Sequence, residues 1–196
     1  NHATQEGAAL GRIRWKDLNN DGKITEADQE WIYDPTPDFT YGFNIYLEYK
    51  NFDFTAFFQG VQGVDIISDL KKETDIWAGL NIGFLNKGRR LLDAWSATNP
   101  NSNIPAVSLS DNNNEKRVSS YWVENGSYLK LRTVQIGYNV PKSFAQKLAM
   151  ERLRFYLSAQ NLFTVKSSSF TGVDPENPNY GYPIPLNITF GLNVTF

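Results

Sequence analysis

Five stretches of this chain alternate apolar and polar residues with a period of two. Each runs for about ten positions, the length of a strand that crosses a bilayer. In residues 40–50 (TYGFNIYLEYK), Tyr41, Phe43, Ile45, Leu47 and Tyr49 fall on one side and Asn44, Tyr46, Glu48 and Lys50 on the other. A period of two is the signature of a strand. Residues 52–60 repeat it, with Phe52, Phe54, Ala56 and Phe58 opposite Asp53, Thr55, Phe57 and Gln59. Residues 127–139, 152–161 and 186–196 do the same, and residues 9–15 read as the end of a preceding strand. In 127–139, strict alternation sets Lys130 and Arg132 on the Val134 face, so that end is expected to lie beyond any lipid.

The connections decide what kind of strand protein this is. Segments 17–38, 61–126 and 163–185 are long and fall at one end of the strands. Lys50-Asn51 and 140–151 are short and fall at the other. A structureless loop as long as 61–126 is foreign to a compact soluble sandwich, whereas outer-membrane barrels have short turns on one side and long loops on the other. Within 61–126, residues 89–97 (RRLLDAWSA) are expected to make a short helix stopped by Asn99-Pro100.

The apolar faces carry no charge in their central parts, as a face toward hydrocarbon must, because a mid-bilayer charge costs about 2–4 kcal/mol. Tyr49, Phe52, Tyr138 and the final Phe196 gather at the short-turn end. An interfacial aromatic girdle accounts for them, as does the plain preference of aromatics for strands. Outer-membrane barrels also commonly end in an aromatic that their assembly machinery reads.

Composition fits the same class. No apolar run reaches the ~18 residues of a membrane helix. A net charge of -2 with no basic cluster argues against nucleic acid, and the absence of Cys removes disulfides and thiolate metal sites. Without an initiator Met or leader, the expectation is that a signal peptide has been removed or that the chain starts downstream of one. Five or six strands cannot close, since the smallest barrels need about eight. The fold class is therefore all-β: an antiparallel transmembrane β-barrel segment, whose other strands come from elsewhere in the same protein. Large transporter barrels of about 22 strands carry a plugged lumen.

Several motifs then give a resemblance. Residues 11–32 (GRIRWKDLNNDGKITEADQEWI), 121–148 (YWVENGSYLKLRTVQIGYNVPKSFAQKL) and 152–164 (RLRFYLSAQNLFT) resemble the SusC/RagA family of TonB-dependent transporters. Residues 93–105 (DAWSATNPNSNIP) resemble that family's Arg-Trp loop, with Ala94 where a basic residue is usual. The resemblance spans nearly the whole chain. It implies that residues 1–196 are the C-terminal part of the barrel, without the plug domain and the N-terminal strands. It implies active import of oligosaccharides or peptides across the outer membrane of a Gram-negative bacterium of the Bacteroidota. A SusD-like surface lipoprotein would act as lid, and TonB, reached through the missing N-terminal region, would supply energy.

Candidate sites lie in the loops. Asp17, Asn19, Asp21, Lys23 (through its carbonyl), Thr25 and Asp28 have the spacing of a calcium loop, with Gly22 at the sharp turn. Asp28 stands where EF-hands close with Glu. A metal-free loop held by Asx-turns has the same composition; either role is structural. Trp77, Trp95 and Trp122, with Trp31, are candidates for stacking on sugar rings, against a packing role within the loops or against the lid protein. Asp174-Pro175-Glu176 reads as turn chemistry. With His2 as the sole histidine and no Cys, nucleophile–base arrangements have no support and no enzyme is expected. Two other functions compete with energised import: a passive or receptor-type barrel, and a soluble calcium-dependent glycan-binding β-module. A dockerin-like module would need a second Asp-x-Asn-x-Asp-Gly loop, which the sequence lacks.

Overall fold

The computed structural model describes residues 3–75, 87–108, 110–179 and 181–196. They form two compact units, one of Asp34–Ile66 with Asn125–Phe196 and one of Asn1–Tyr33 with Ile67–Glu124.

The first unit is a sheet. β1 (Phe39–Tyr49) and β2 (Phe52–Gln62) are joined by a turn in which Lys50 takes a φ of 55°. A two-residue hairpin needs such a left-handed residue to match the strand twist. β3 (Asp65–Ile67) leads into the long excursion, which carries α1 (Asp69–Asp75) and 3-10 turns at Arg89–Asp93 and Ser120–Trp122. The chain returns through β4 (Val123–Asn125) into β5 (Tyr128–Asn139). After α2 (Lys142–Ala145) come β6 (Arg152–Lys166) and β7 (Asn187–Thr195). The order is β1-β2-β5-β6-β7, antiparallel throughout.

The short connections share one end of the sheet. There Asn139 donates its backbone N–H to Asn51 O at 2.8 Å, and Asn51 Nδ2 donates to Asn139 O at 2.7 Å. The long connections leave from the other end, as the strand lengths and spacing predict. No helix among the described residues is long and apolar enough to cross a membrane. The five strands of the large sheet (β1, β2, β5, β6 and β7), 9 to 15 residues long, have the length that does.

Register sorts the side chains. Leu47 faces Phe54, which faces Ile136, then Leu157 and Phe190. That side holds no charged residue from β1 to β7. Leu47, Ile188, Phe190 and Leu192 are each more than half exposed. An apolar field this broad is not left to water by a stable soluble domain. At the short-turn end Tyr49, Phe52, Tyr138 and Phe155 line up across four strands, with the Phe52 and Tyr138 rings 4.8 Å apart. Glu48, Asp53, Arg154 and Asn193 belong to the opposite side.

Four sequence expectations are corrected. The alternation of β5 is interrupted: Phe58 pairs with Leu131 and Phe57 with Thr133, so Arg132 is bulged out of register. A bulge shifts the side-chain parity beyond it. Lys130 therefore pairs with Gln59 on the polar side and Leu131 with Phe58 on the apolar side, and Lys130 does not have to lie beyond the lipid. β6 runs on to Lys166, because Asn161 takes a φ of 55° and lets the strand continue. Residues 9–15 are not a strand: Gly11 has a φ of 76°, and Ile13 bonds side chains (Glu115, Gln5 and Asn113) rather than a neighbouring backbone. Residues 89–97 make only the 3-10 turn Arg89–Asp93.

Candidate functional site

The second unit is built around buried polar groups. Glu115 and Asn113 are almost fully buried. Glu115 pairs with Arg12 and accepts the Ile13 backbone N–H at 2.8 Å. Asn113 donates to Ile13 O at 2.8 Å and to Glu115 Oε1 at 3.2 Å. Gln5 donates to Ile13 O and accepts the Trp15 backbone N–H. Backbone polarity that a strand would satisfy by ladder pairing is satisfied here by side chains.

A second buried set surrounds α1. Asp75 accepts from Tyr121 Oη at 2.8 Å and lies 3.3 Å from Arg90. Burial pushes the Asp75 carboxyl up, against the pull of Tyr121 and Arg90. Burial also lowers Lys71, which lies over the Tyr121 ring and donates to Tyr121 O.

The 17–28 loop closes on itself. Asp17 accepts the N–H groups of Asn20 and Gly22, Asn19 accepts that of Asp21, and Asp21 accepts that of Lys23. Asp28 accepts Leu18 N–H at 2.8 Å and Thr25 N–H at 2.7 Å, and these bonds, Thr25 first, hold its carboxyl below the usual range. Thr25 and Asp28 also form a reciprocal capping box on the turn Glu26–Asp28. The six sequence-chosen residues thus share one loop, organised by Asx-turns. Each carboxylate oxygen so engaged keeps a second lone pair. No set of three or more His, Cys, Asp or Glu side chains among the described residues forms a metal-holding group.

The tryptophans separate. Trp122 is fully buried, with Ile67 and Tyr121 packed on it and its Nε1 donating to Arg117 O at 3.0 Å. That corrects its candidacy for ring stacking: no face is open. Trp95 lies over Gly11, whose missing Cβ makes the room. Trp31 is exposed and shares a groove of about 580 Å³ with Trp15, Arg117 and Tyr121. Trp77 and His2 lie outside the described residues.

The sheet's polar side carries two ionic sites that alternation alone did not reveal. Near the short turns, Arg154 grips Asp53 with two bonds (Nε–Oδ2 3.0 Å, Nη2–Oδ1 2.5 Å), and Asn139 adds a third at 3.1 Å. The pair spans β2 to β6 across Gly137, and a Cβ on Gly137 would strike both partners. At the other end, Lys130 is wholly buried and bonds Asp174 at 2.8 Å and Glu176 at 2.5 Å. Tyr128 and Arg132 also reach Glu176. Burial raises the Glu176 carboxyl, but the bonds from Lys130, Tyr128 and Arg132 outweigh it and leave it below its ordinary value. Asp174-Pro175-Glu176 is a turn, as its composition predicts. Its partners were hidden because they lie more than forty positions away.

No family model matches the chain. It is 39% identical over 196 residues to TonB-dependent receptor P3 of Formosa agariphila, covering 92% of this chain and 18% of that receptor. To TonB-dependent receptor SusC of Bacteroides thetaiotaomicron it is 28% identical, covering 92% and 17%. A solved structure of the RagAB peptide transporter superposes with a TM-score of 0.75 at 25% identity, over 99% of this chain and 22% of that one. The chain thus spans about a fifth of the length of the relatives it matches. Their names are those of receptors and transporters, not enzymes.

Proposed function

Taking the chain as a segment of a SusC/RagA-like TonB-dependent receptor barrel, we propose that the protein containing it imports nutrients across the outer membrane of a Gram-negative bacterium. The strands here are the barrel's C-terminal wall, with the plug and the remaining strands contributed by the rest of the protein. The cargo is an oligosaccharide or peptide, the lid is a SusD-like lipoprotein, and the energy arrives through TonB. One observation carries this reading: a sheet whose uncharged apolar side lies exposed across five strands while its other side holds buried ion pairs. A soluble β-module would bury its apolar side and wet its polar side.

Uptake of labelled oligosaccharides and peptides by cells expressing the full-length receptor tests it. Import of one class should vanish when TonB is deleted. Import that persists without TonB identifies a passive barrel, and solubility of the receptor without detergent would remove the membrane reading altogether.

The calcium reading of Asp17, Asn19, Asp21, Lys23, Thr25 and Asp28 belongs to the same proposal, as a brace for an extracellular loop. Its support is the donor spacing, with Asn20 (φ 61°) and Gly22 (φ 81°) forming the sharp turn. Chelator should make residues 17–28 more sensitive to protease; unchanged cleavage would leave the loop to its Asx-turns alone.

A further inference from the structure

The connection from β5 to β6 (residues 140–151) is tied down along its length. Val140 donates its backbone N–H to Leu153 O at 2.9 Å, Met150 to Ala145 O at 3.1 Å and Glu151 to Thr195 O at 2.7 Å. Its start lies beside Leu153, the first apolar-side residue of β6, which is buried while Leu157 on the same side is 48% exposed. The connection therefore sits at the rim of the apolar side, at the end marked by the row Tyr49, Phe52, Tyr138 and Phe155. Yet this fixed segment leaves Phe144 and Leu148 56% and 49% exposed. They are four residues apart in the continuous turn from Lys142 to Leu148, and hence on one face. Cations frame the pair. Lys142 and Lys147 belong to the same turn, and Lys50 stands on the other short connection, its Nζ 5.2 Å above the Tyr49 ring. The two connections meet through the Asn51–Asn139 bonds. All three lysines are exposed, and none forms an ion pair among the described residues. Of the acids at this end, Asp53 is held by Arg154 and Glu48 accepts from Tyr46, both on the polar side. The connection itself carries one acid, Glu151.

We propose that residues 140–151 form an interfacial foot that binds anionic phospholipid at the short-turn end of the barrel. Phe144 and Leu148 enter the acyl boundary, and Lys50, Lys142 and Lys147 hold the headgroup phosphates. The proposal rests on the apolar side meeting lipid, not on what the receptor imports. A turn with apolar side chains on one face and lysines beside them is stable in the plane of a membrane interface. Lysine stems lie along apolar surface while their ammonium groups reach the headgroups. Continuity with the aromatic row selects lipid over a soluble partner. The unpaired positive charge selects an anionic headgroup over a zwitterionic one. Each lysine near an anionic surface strengthens the attraction by about fivefold, and salt weakens it.

Hydrogen exchange on the full-length receptor in nanodiscs tests this. Peptides covering 140–151 should exchange about fivefold slower or more when roughly one-third of the phosphatidylcholine is replaced by phosphatidylglycerol. K50Q/K142Q/K147Q alters only exposed side chains and should erase that difference while the strands keep their protection. F144S/L148S should speed exchange of the connection in both kinds of disc. Equal exchange in the two discs overturns the proposal. So does a difference that survives the lysine substitutions, because charged lipid would then be acting elsewhere on the receptor. A receptor that does not enter discs at all would remove the membrane reading, and this proposal with it.

Discussion

In the sheet, backbone groups bond each other along the ladders, and side chains are sorted by side: apolar on one, ion pairs such as Asp53–Arg154 on the other. In the loop unit, side chains do the backbone's work. Asn113, Gln5 and Glu115 bond the main chain of Ile13 and Trp15, and Trp122 is fully buried beside the Asp75–Tyr121 pair. The difference teaches where each unit is vulnerable. A strand tolerates changes that respect its two sides, since its ladder does not depend on any one side chain. An irregular segment hangs on a few buried polar groups, each of which leaves others unsatisfied when removed.

The largest expected effect is in the loops. Glu115→Ala leaves the Arg12 guanidinium unpaired at 9% exposure and should destabilise the unit by about 3–5 kcal/mol. Limited proteolysis of residues 3–33 measures it, and resistance equal to wild type would erase the proposed contrast between the units. Next comes the sheet. Leu157→Arg on the apolar side should cost about 2–4 kcal/mol in urea titration of the receptor folded into vesicles, with Thr189→Arg on the other side nearly silent. Equal costs on both sides would refute the assignment of hydrocarbon to one of them.

A smaller effect is expected at Gly137. Alanine there collides with Asp53 and Arg154 and should cost about 1–3 kcal/mol. Adding Arg154→Ala should then cost less in the Gly137→Ala background than in wild type. Additive losses would mean the glycine serves something other than the ion pair.

The smallest effect is in pH. Asp75 has a raised folded value, so the folded loop unit binds its proton more readily than the unfolded chain does. Its stability should rise as pH falls from neutral toward the ordinary carboxylate value of 3.8. Glu176 has a lowered value, so the contribution of its bonds to Lys130, Tyr128 and Arg132 is present above 4.5 and lost as pH falls through the folded value. Protection factors, which remove the intrinsic pH dependence of amide exchange, should therefore move in opposite directions near Asp75 and around Glu176 on mild acidification. A shared direction would show that neither carboxyl controls its unit.

The five long strands, their sides and the division between short and long connections could be read from the amino acids because they rest on local geometry. Successive residues of a strand point opposite ways whatever lies beside them, so Leu186 to Phe196 declares its two sides unaided. The loop 17–28 was readable for the same reason, since its Asx-turns reach only a few positions along the chain. The bulge at Arg132 was not, because a bulge exists only relative to a partner strand, and Phe57 and Phe58 lie some seventy positions away. Nor was the burial of Trp122, or the choice of Asp174 and Glu176 as partners of Lys130. Those depend on long-range closure, where many pairings satisfy the same residue types and only the assembled backbone selects one.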